Sequence, residues 1–578
     1  MILGLVGIAG AVSGATLSIT PSSTSNTYGG VLTLQIGGLT NGEQVVIERY
    51  LDLNTNGVVD AGEVLLDTFR ITDGGVNTIG GVTNVNVPYD SNPAPGAITT
   101  TLSVAPPIED FCQGLFRLAS PFGNFTPQTN LFVITNAALG QTVSGNVLNG
   151  ASPVPNAVVA VLSQPNHNFV TAAVADNSGH YAVKLNPGTY SLVPTLPNYY
   201  TDQGQGAQVT LTNGGSVATN LFLTNGLVAN TISGQLTDAT NGAPLGGVFL
   251  QVESGNLFAL AFTDSNGNYS VRLNPSTWKV KLDGSRLARR AYVALQNNVQ
   301  ADLSTGSVAN VNIALPKANA LFYGRFTENL SVPFANIDFY GQDDGNQFKS
   351  DGFSDASGNY AVGVFANGAS QWNSAPDAGN NSILAGYIVS SGLGSTNILP
   401  GQALRQDFVA IRATAQITGH IQDNLGNAVT GLGIGANGTI GNVTYNSYAE
   451  TDNSGNYGLA AAGGTWFLFV NCCGDNGLES FGLFDPASHT VIIPPTNAVV
   501  NITLYPVGTP FLTQPARYSS TQFGFFLNGP VGSNYTVKAS TDLSNWFNLF
   551  SLSSTSNPAF LMDNLATNNR RFYRVLRN

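Results

Sequence analysis

The stretch Asp52-Leu53-Asn54-Thr55-Asn56-Gly57-Val58-Val59-Asp60-Ala61-Gly62-Glu63 carries oxygen-bearing side chains at positions 1, 3, 5, 9 and 12 of a twelve-residue run. Gly57 stands at position 6, where a loop wrapping a cation must turn sharply, and apolar Val59 at position 8. A hard cation such as Ca2+ takes six to eight oxygen ligands. Asp52, Asn54, Asn56, Asp60, a bidentate Glu63 and the Val58 carbonyl supply that number. The spacing therefore points to a calcium site. Asn at positions 3 and 5 lowers the ligand charge and predicts modest affinity, about 10⁻⁴–10⁻³ M, as in extracellular modules. The competing explanation is a polar hairpin loop with acidic residues placed by chance. The flanking runs 44–50 and 64–71 alternate apolar and polar residues, so the loop sits on a sheet rather than between helices.

Little else in the chain could do chemistry. Its histidines are His167, His180, His420 and His489, and none falls in a His-Glu-x-x-His pattern. There is no Gly-x-Ser-x-Gly elbow and no phosphate-cradling glycine loop. The remaining acidic residues belong mostly to turns, so no carboxylate pair for glycoside hydrolysis stands out. Cys112, Cys472 and Cys473 are too few for a disulfide framework and match no zinc spacing; the adjacent pair reads as two ordinary thiols or a strained vicinal disulfide. Arg286, Arg289 and Arg290 form a basic group that would either bind an anionic glycan or lie in a solvated loop.

The element that must organise most of the chain is a motif, Asp-x-x-Gly-x-Tyr, followed by a second aromatic. It occurs at Asp176–Gly179–Tyr181, Asp264–Gly267–Tyr269, Asp355–Gly358–Tyr360 and Asp452–Gly455–Tyr457. The second ring is Tyr190, Trp278, Trp372 or Trp466, nine residues after the Tyr in three copies and twelve in the third. The Asp accepts from backbone N–H groups just after it and closes a turn, and the Gly takes a positive φ. Alternating residues then continue as strand, and both rings point into a small sandwich core. Each copy is preceded, 30–33 residues earlier, by an apolar-x-Gly strand containing Gly145, Gly234, Gly324 or Gly419. Such regularity marks homologous modules.

These four modules resemble the carboxypeptidase regulatory-like family, small transthyretin-like sandwiches related to the B-type repeats of bacterial collagen adhesins. The resemblance covers roughly residues 139–506. It implies a seven-stranded Greek-key sandwich per module and an extracellular stalk or binding role. Some adhesin relatives carry a Lys–Asn isopeptide bond. The opening strands here contain no Lys, so none is expected. The 52–63 loop resembles an EF-hand loop, and the alternating runs around it, with turns rich in Gly, Pro and Asn, read as an immunoglobulin-like sandwich. The last residues resemble a short C-terminal β domain of exported bacterial proteins. Its arginines Arg570, Arg571, Arg574 and Arg577 mark either a sorting element or a charged edge strand that resists aggregation.

Composition agrees with this. Charged residues make up 9% of 578, Gly numbers 66, and long helical patterns are missing. A net charge of −12 argues against nucleic acid as partner. The expected fold is all-β, tandem Greek-key β-sandwich modules in an elongated rod. Its parts are a signal-like apolar segment 1–15, an Ig-like sandwich 16–138, repeats at 139–226, 227–316, 317–412 and 413–506, and a small β domain 507–578. The segment 2–15 is too short to span a bilayer and reads as an export signal or a strand donated to a neighbouring subunit. The expected function is that of a non-enzymatic, exported, cell-surface stalk and adhesin stabilised by Ca2+. The alternatives are a carbohydrate-binding module string and a filament subunit. Glycan or matrix-protein partners and self-assembly fit these readings; a transmembrane span does not.

Overall fold

A computed structural model describes residues 14–25, 28, 30–52, 54–103, 113–135, 140–164, 169–196, 199, 206–224, 230–255, 257–282, 284–296, 299–377, 384, 386–470, 478, 481–493, 497–568 and 570–578. Most of the apolar N-terminal segment, His167 and the three cysteines lie outside the described residues. Among the described residues nearly every regular element is a strand; the exception is the short helix Gly284–Ala288. The fold is thus all-β and built of tandem sandwiches. Among the described residues no helix is long and apolar enough to cross a membrane.

The chain divides into two compact units, Met1–Ile383 with Gly392–Val409, and Leu384–Ser391 with Ala410–Asn578. In the first unit, the N-terminal sandwich pairs a sheet of Thr16–Thr20, Val31–Gly37 and Ile98–Ser103 with a second sheet. That second sheet runs in the order Ser23–Ser25, Gln128–Thr135, Gln113–Ala119, Gln44–Leu51, Val64–Thr72. Alternation explains the layering: in Gln44–Leu51 every second residue is buried. The inward set, including Leu34, Ile47, Phe69, Phe116 and Leu118, forms one core.

The first, second and fourth repeats share one strand order, and the third departs from it at its sixth strand, Tyr387–Ser390, which pairs with Phe408–Arg412. In the first, the opening strand Gln141–Asn149 pairs antiparallel with the fourth, His180–Leu185, and parallel with the closing segments Ser216–Ala218 and Leu221–Phe222. The facing sheet runs third, second, fifth, sixth: Phe169–Val174, Val158–Ser163, Gly188–Thr195, Ala207–Leu211. The second repeat repeats this order from Asn230–Asp238 to Ile313–Leu315, and the fourth from Ala415–Asp423 to Ile502–Pro506. In the third, Ala320–Glu328 is flanked by Asn359–Val364 and Ala403–Arg405, and Asp338–Asp343 lies between Phe348–Phe353 and Trp372–Pro376.

The repeated motif builds these cores. Asp176 Oδ1 accepts from the N–H groups of Ser178 (2.8 Å) and His180 (2.9 Å), and Asp264, Asp355 and Asp452 accept from the same two positions. Each Tyr is buried, and its hydroxyl donates to a carbonyl on the closing strand: Tyr181 to Thr219, Tyr269 to Val311, Tyr360 to Gln406, Tyr457 to Val500. That carbonyl lies against the opening-strand glycine. A Cβ on Gly145 would stand 1.7 Å from the Thr219 oxygen, and one on Gly419 1.8 Å from the Val500 oxygen. The glycine is required for close approach.

The second ring is buried too, and in three copies its polar atom donates to the carbonyl four residues earlier: Tyr190 to Asn186, Trp278 to Asn274, Trp466 to Ala462. The third copy, with its longer spacing, leaves Trp372 Nε1 buried without a partner. Its indole packs at 6.3 Å from the Phe348 ring instead.

The C-terminal domain in the second unit has two three-stranded sheets. One orders Phe511–Arg517, Phe523–Asn528 and Ala559–Asp563; the other Phe547–Ser553, Asn534–Ser540 and Phe572–Arg577. Phe572–Arg577 is an edge strand with charged residues, as a protected edge requires. Arg571 nevertheless works inward: its Nε lies 2.7 Å from the buried Asp563 carboxylate.

Candidate functional site

The 52–63 loop joins Gln44–Leu51 to Val64–Thr72, which pair antiparallel. The loop is therefore a long hairpin connection on a sheet, as its flanks predict. Asp52 is buried at its base, and its carboxylate accepts from the backbone N–H groups of Asn56 (3.2 Å) and Gly57 (2.9 Å). Asn54 Oδ1 accepts from Asn56 N, and Asn56 Oδ1 from Val58 N. Asp60 Oδ2 receives the side-chain amides of both Asn54 (2.8 Å) and Asn56 (2.7 Å), which hold its carboxyl below the usual range. Glu63 Oε2 accepts from Asp60 N at 3.1 Å. Val58 is exposed at the tip.

Glu63 is the strained member. Its Oε1 is buried and accepts no hydrogen bond. Burial, with the like charges of Asp52 and Asp60 adding to it, pushes its carboxyl up to about 6. Three carboxylates thus share one loop, and one of their oxygens lacks a donor. That is the arrangement a hard cation relieves, and the donors are all oxygens of the class Ca2+ takes. Among the described residues, no three acidic, His or Cys side chains stand at metal-holding separation. Asn54 and Asn56 present nitrogen, not oxygen, to Asp60, so both amides must rotate before their oxygens could serve as ligands.

The hairpin also bears on its neighbours. Leu51, Val64 and Leu66 pack against Val158, Ala172 and Val174 of the first repeat and Phe262 of the second. A bulge opposite Arg49 and Tyr50 inserts Leu66 into the strand, so Leu65 and Leu66 are both buried, on opposite faces. Arg286, Arg289 and Arg290 form neither a solvated loop nor an open anion site. Arg286 is buried, stacks over Phe249 and Phe262, and donates to the Leu66 carbonyl at 3.1 Å. Arg289 lies 3.9 Å from buried Asp67, and Arg290 donates to the Gly246 carbonyl at 2.7 Å. Farther along, Asn86 accepts from Phe353 N and donates to the Ala361 carbonyl, which docks the 73–97 stretch onto the third repeat. Sequence reasoning missed this docking because the signals are single residues scattered over four modules. It also missed Asn220, Asn312, Asp407 and Asn501. In each repeat that side chain accepts from the N–H after the opening-strand glycine. Their recurrence just after the carbonyl that receives the Tyr hydroxyl was a readable signal.

Of the other candidate residues, His180 is exposed in its turn, His420 lies 3.3 Å from Asn456 Oδ1, and His489 pairs with Asp485 at 2.9 Å.

A scan against family models finds none that matches this chain, and a search of curated proteins finds none either. Among solved structures, the chain is similar to the TIE protein of Bacillus anthracis, with 10% identity over 69% of this chain and 75% of that one, at a TM-score of 0.16. It is also similar to a streptococcal ancillary pilin, with 12% identity over 48% and 92% of the two chains and a TM-score of 0.14. The shaft pilin spaA from Lactobacillus rhamnosus GG shares 12% identity over 30% and 96%, with a TM-score of 0.13. Overlaps this small carry no argument about what the present chain does.

Proposed function

We propose that this is a non-enzymatic structural protein of the cell exterior, a string of β-sandwich spacers whose N-terminal hairpin is stabilised by Ca2+. The observation that carries the reading is where the functional groups are spent. The motif carboxylates close turns, the motif rings fill cores, and the arginines lock modules to one another. The common strand order of the first, second and fourth repeats supports the carboxypeptidase regulatory-like, transthyretin-like reading. The orphaned Glu63 oxygen and the oxygen-only donor set support the cation. Asp52, Asn54, Asn56, Asp60, Glu63 and the Val58 carbonyl would hold it, and it would supply charge neutralisation and cross-linking of the loop.

The test is titration of the full chain with Ca2+ and with EDTA, followed by calorimetry. Ligand at about a hundredfold excess over Kd adds about 2.7 kcal/mol to the state that binds it. A calcium-dependent rise in the unfolding temperature, absent in Glu63→Gln, is expected. Equal stability in both conditions would remove calcium from the reading. A second reading, glycan binding, is favoured by one specific surface, treated next.

A further inference from the structure

In every repeat the third, second and fifth strands present one face away from the module's own core. In the first two repeats that face is covered. Val158 and Ala172 meet Leu51 and Leu66, and Ala160 meets Phe249 and Leu260. The contacts there are between aliphatic and Phe side chains, as packing between protein layers demands, although the second repeat's face also carries the Lys281–Glu253 ion pair. The corresponding face of the fourth repeat exposes rings and an amide, Tyr448, Phe467 and Asn437. Gly435 on the central strand Gly433–Ile440 is flanked by Tyr448 on one neighbouring strand and Phe469 on the other. One step along, Asn437 lies between Asn446 and Phe467. The Phe467 and Phe469 rings are stacked at 6.5 Å and 22°. Tyr448 is 54% and Phe467 45% exposed, while the alternate residues Trp466 and Leu468 are buried below. Thr439, exposed, continues the polar rows.

Flat rings beside amides and hydroxyls match a ligand with apolar C–H faces and hydroxyl edges. Tyr, Phe, Asn and Thr carry no charge, in a chain of net charge −12, so a polyanion is disfavoured. We infer that the outer sheet face of the fourth repeat binds a neutral polysaccharide, with Tyr448, Phe467 and Phe469 stacking on sugar rings and Asn437 bonding to hydroxyls. This goes beyond the spacer reading and does not depend on the calcium loop.

The experiment is retention of the full chain on microcrystalline cellulose, insoluble xylan and insoluble mannan, with alginate as the charged control. Tyr448→Ala and Phe467→Ala alter exposed rings outside the core, and circular dichroism with a melting curve verifies their fold. Binding to a neutral polymer, insensitive to salt and to EDTA, is expected, with about tenfold weaker retention in either variant. Absence of binding to all three neutral polymers would overturn the inference, and so would variants that bind like the parent. Concentration-dependent dimerisation abolished by the same substitutions would assign the face to a second copy and overturn it too.

Discussion

At the scale of single residues, two positions show how environment sets behaviour. Tyr269 places its hydroxyl 2.7 Å from the Val311 carbonyl inside a core with Trp278 and Leu250. Tyr269→Phe keeps the ring and leaves that carbonyl unsatisfied, so it should cost about 1–2 kcal/mol in urea unfolding. The Asp turn formers are exposed by contrast, and their hydrogen bonds lower the carboxyl of Asp452 without burying it. Glu63 behaves in the opposite sense. Its carboxyl rises from 4.5 in the open chain to about 6 in the folded loop, because burial penalises the charged form. The folded loop therefore binds a proton more tightly than the unfolded one. Without cation, its contribution is full below pH 4.5 and is lost as pH rises through about 6. After allowance for solvent exposure the effect is about 1 kcal/mol. Hydrogen exchange of the loop in EDTA should slow as pH falls through that window, after correction for intrinsic rates. Calcium affinity should fall over the same window, since the ligand must be deprotonated.

At the scale of elements, opening and closing strands of each repeat are locked by one glycine. Gly145→Ala forces a Cβ into the Thr219 carbonyl and should cost about 3 kcal/mol or more, read as loss of the first repeat's unfolding transition. The hairpin of Gln44–Leu51 and Val64–Thr72 plays a second role, because the bulge turns Leu66 out of its own core and into the first repeat. Leu66→Ala removes about 2–4 kcal/mol of contact. The N-terminal sandwich retains its inner set of residues in this variant. Calorimetry should accordingly show its transition separating from those of the repeats rather than vanishing.

At the scale of the whole molecule, each compact unit is a set of sandwiches joined by more than linkers. In the first, Arg286 lies over the Phe249–Phe262 pair and reaches the Leu66 carbonyl, and Asn86 bonds to two strands of the third repeat. A guanidinium buried against rings is held by stacking as well as by its bond. Its loss in Arg286→Ala should therefore raise protease sensitivity at the junction, measured by limited digestion of the full chain, while Arg570→Ala, an exposed residue, should not.

Much of this was written in local pattern. The Asp-x-x-Gly-x-Tyr motif determined the hairpins, because an Asx turn and a positive-φ glycine need only neighbours in the chain. Period-two alternation determined which rings go inward, and oxygen spacing marked the 52–63 loop. Tertiary structure alone decided what those patterns meet. The apolar-x-Gly strand was visible, but its reason, a carbonyl arriving from the far end of the repeat, was not. Three clustered arginines read as a solvated loop or an anion site. Arg286 became interior because Leu66 and two phenylalanines from elsewhere close around it, and Arg289 and Arg290 are half-buried beside Asp67 and Gly246. Which sheet face is covered and which stays open to water depends on packing between modules, and that information is spread too thinly over distant residues for any single stretch to announce it.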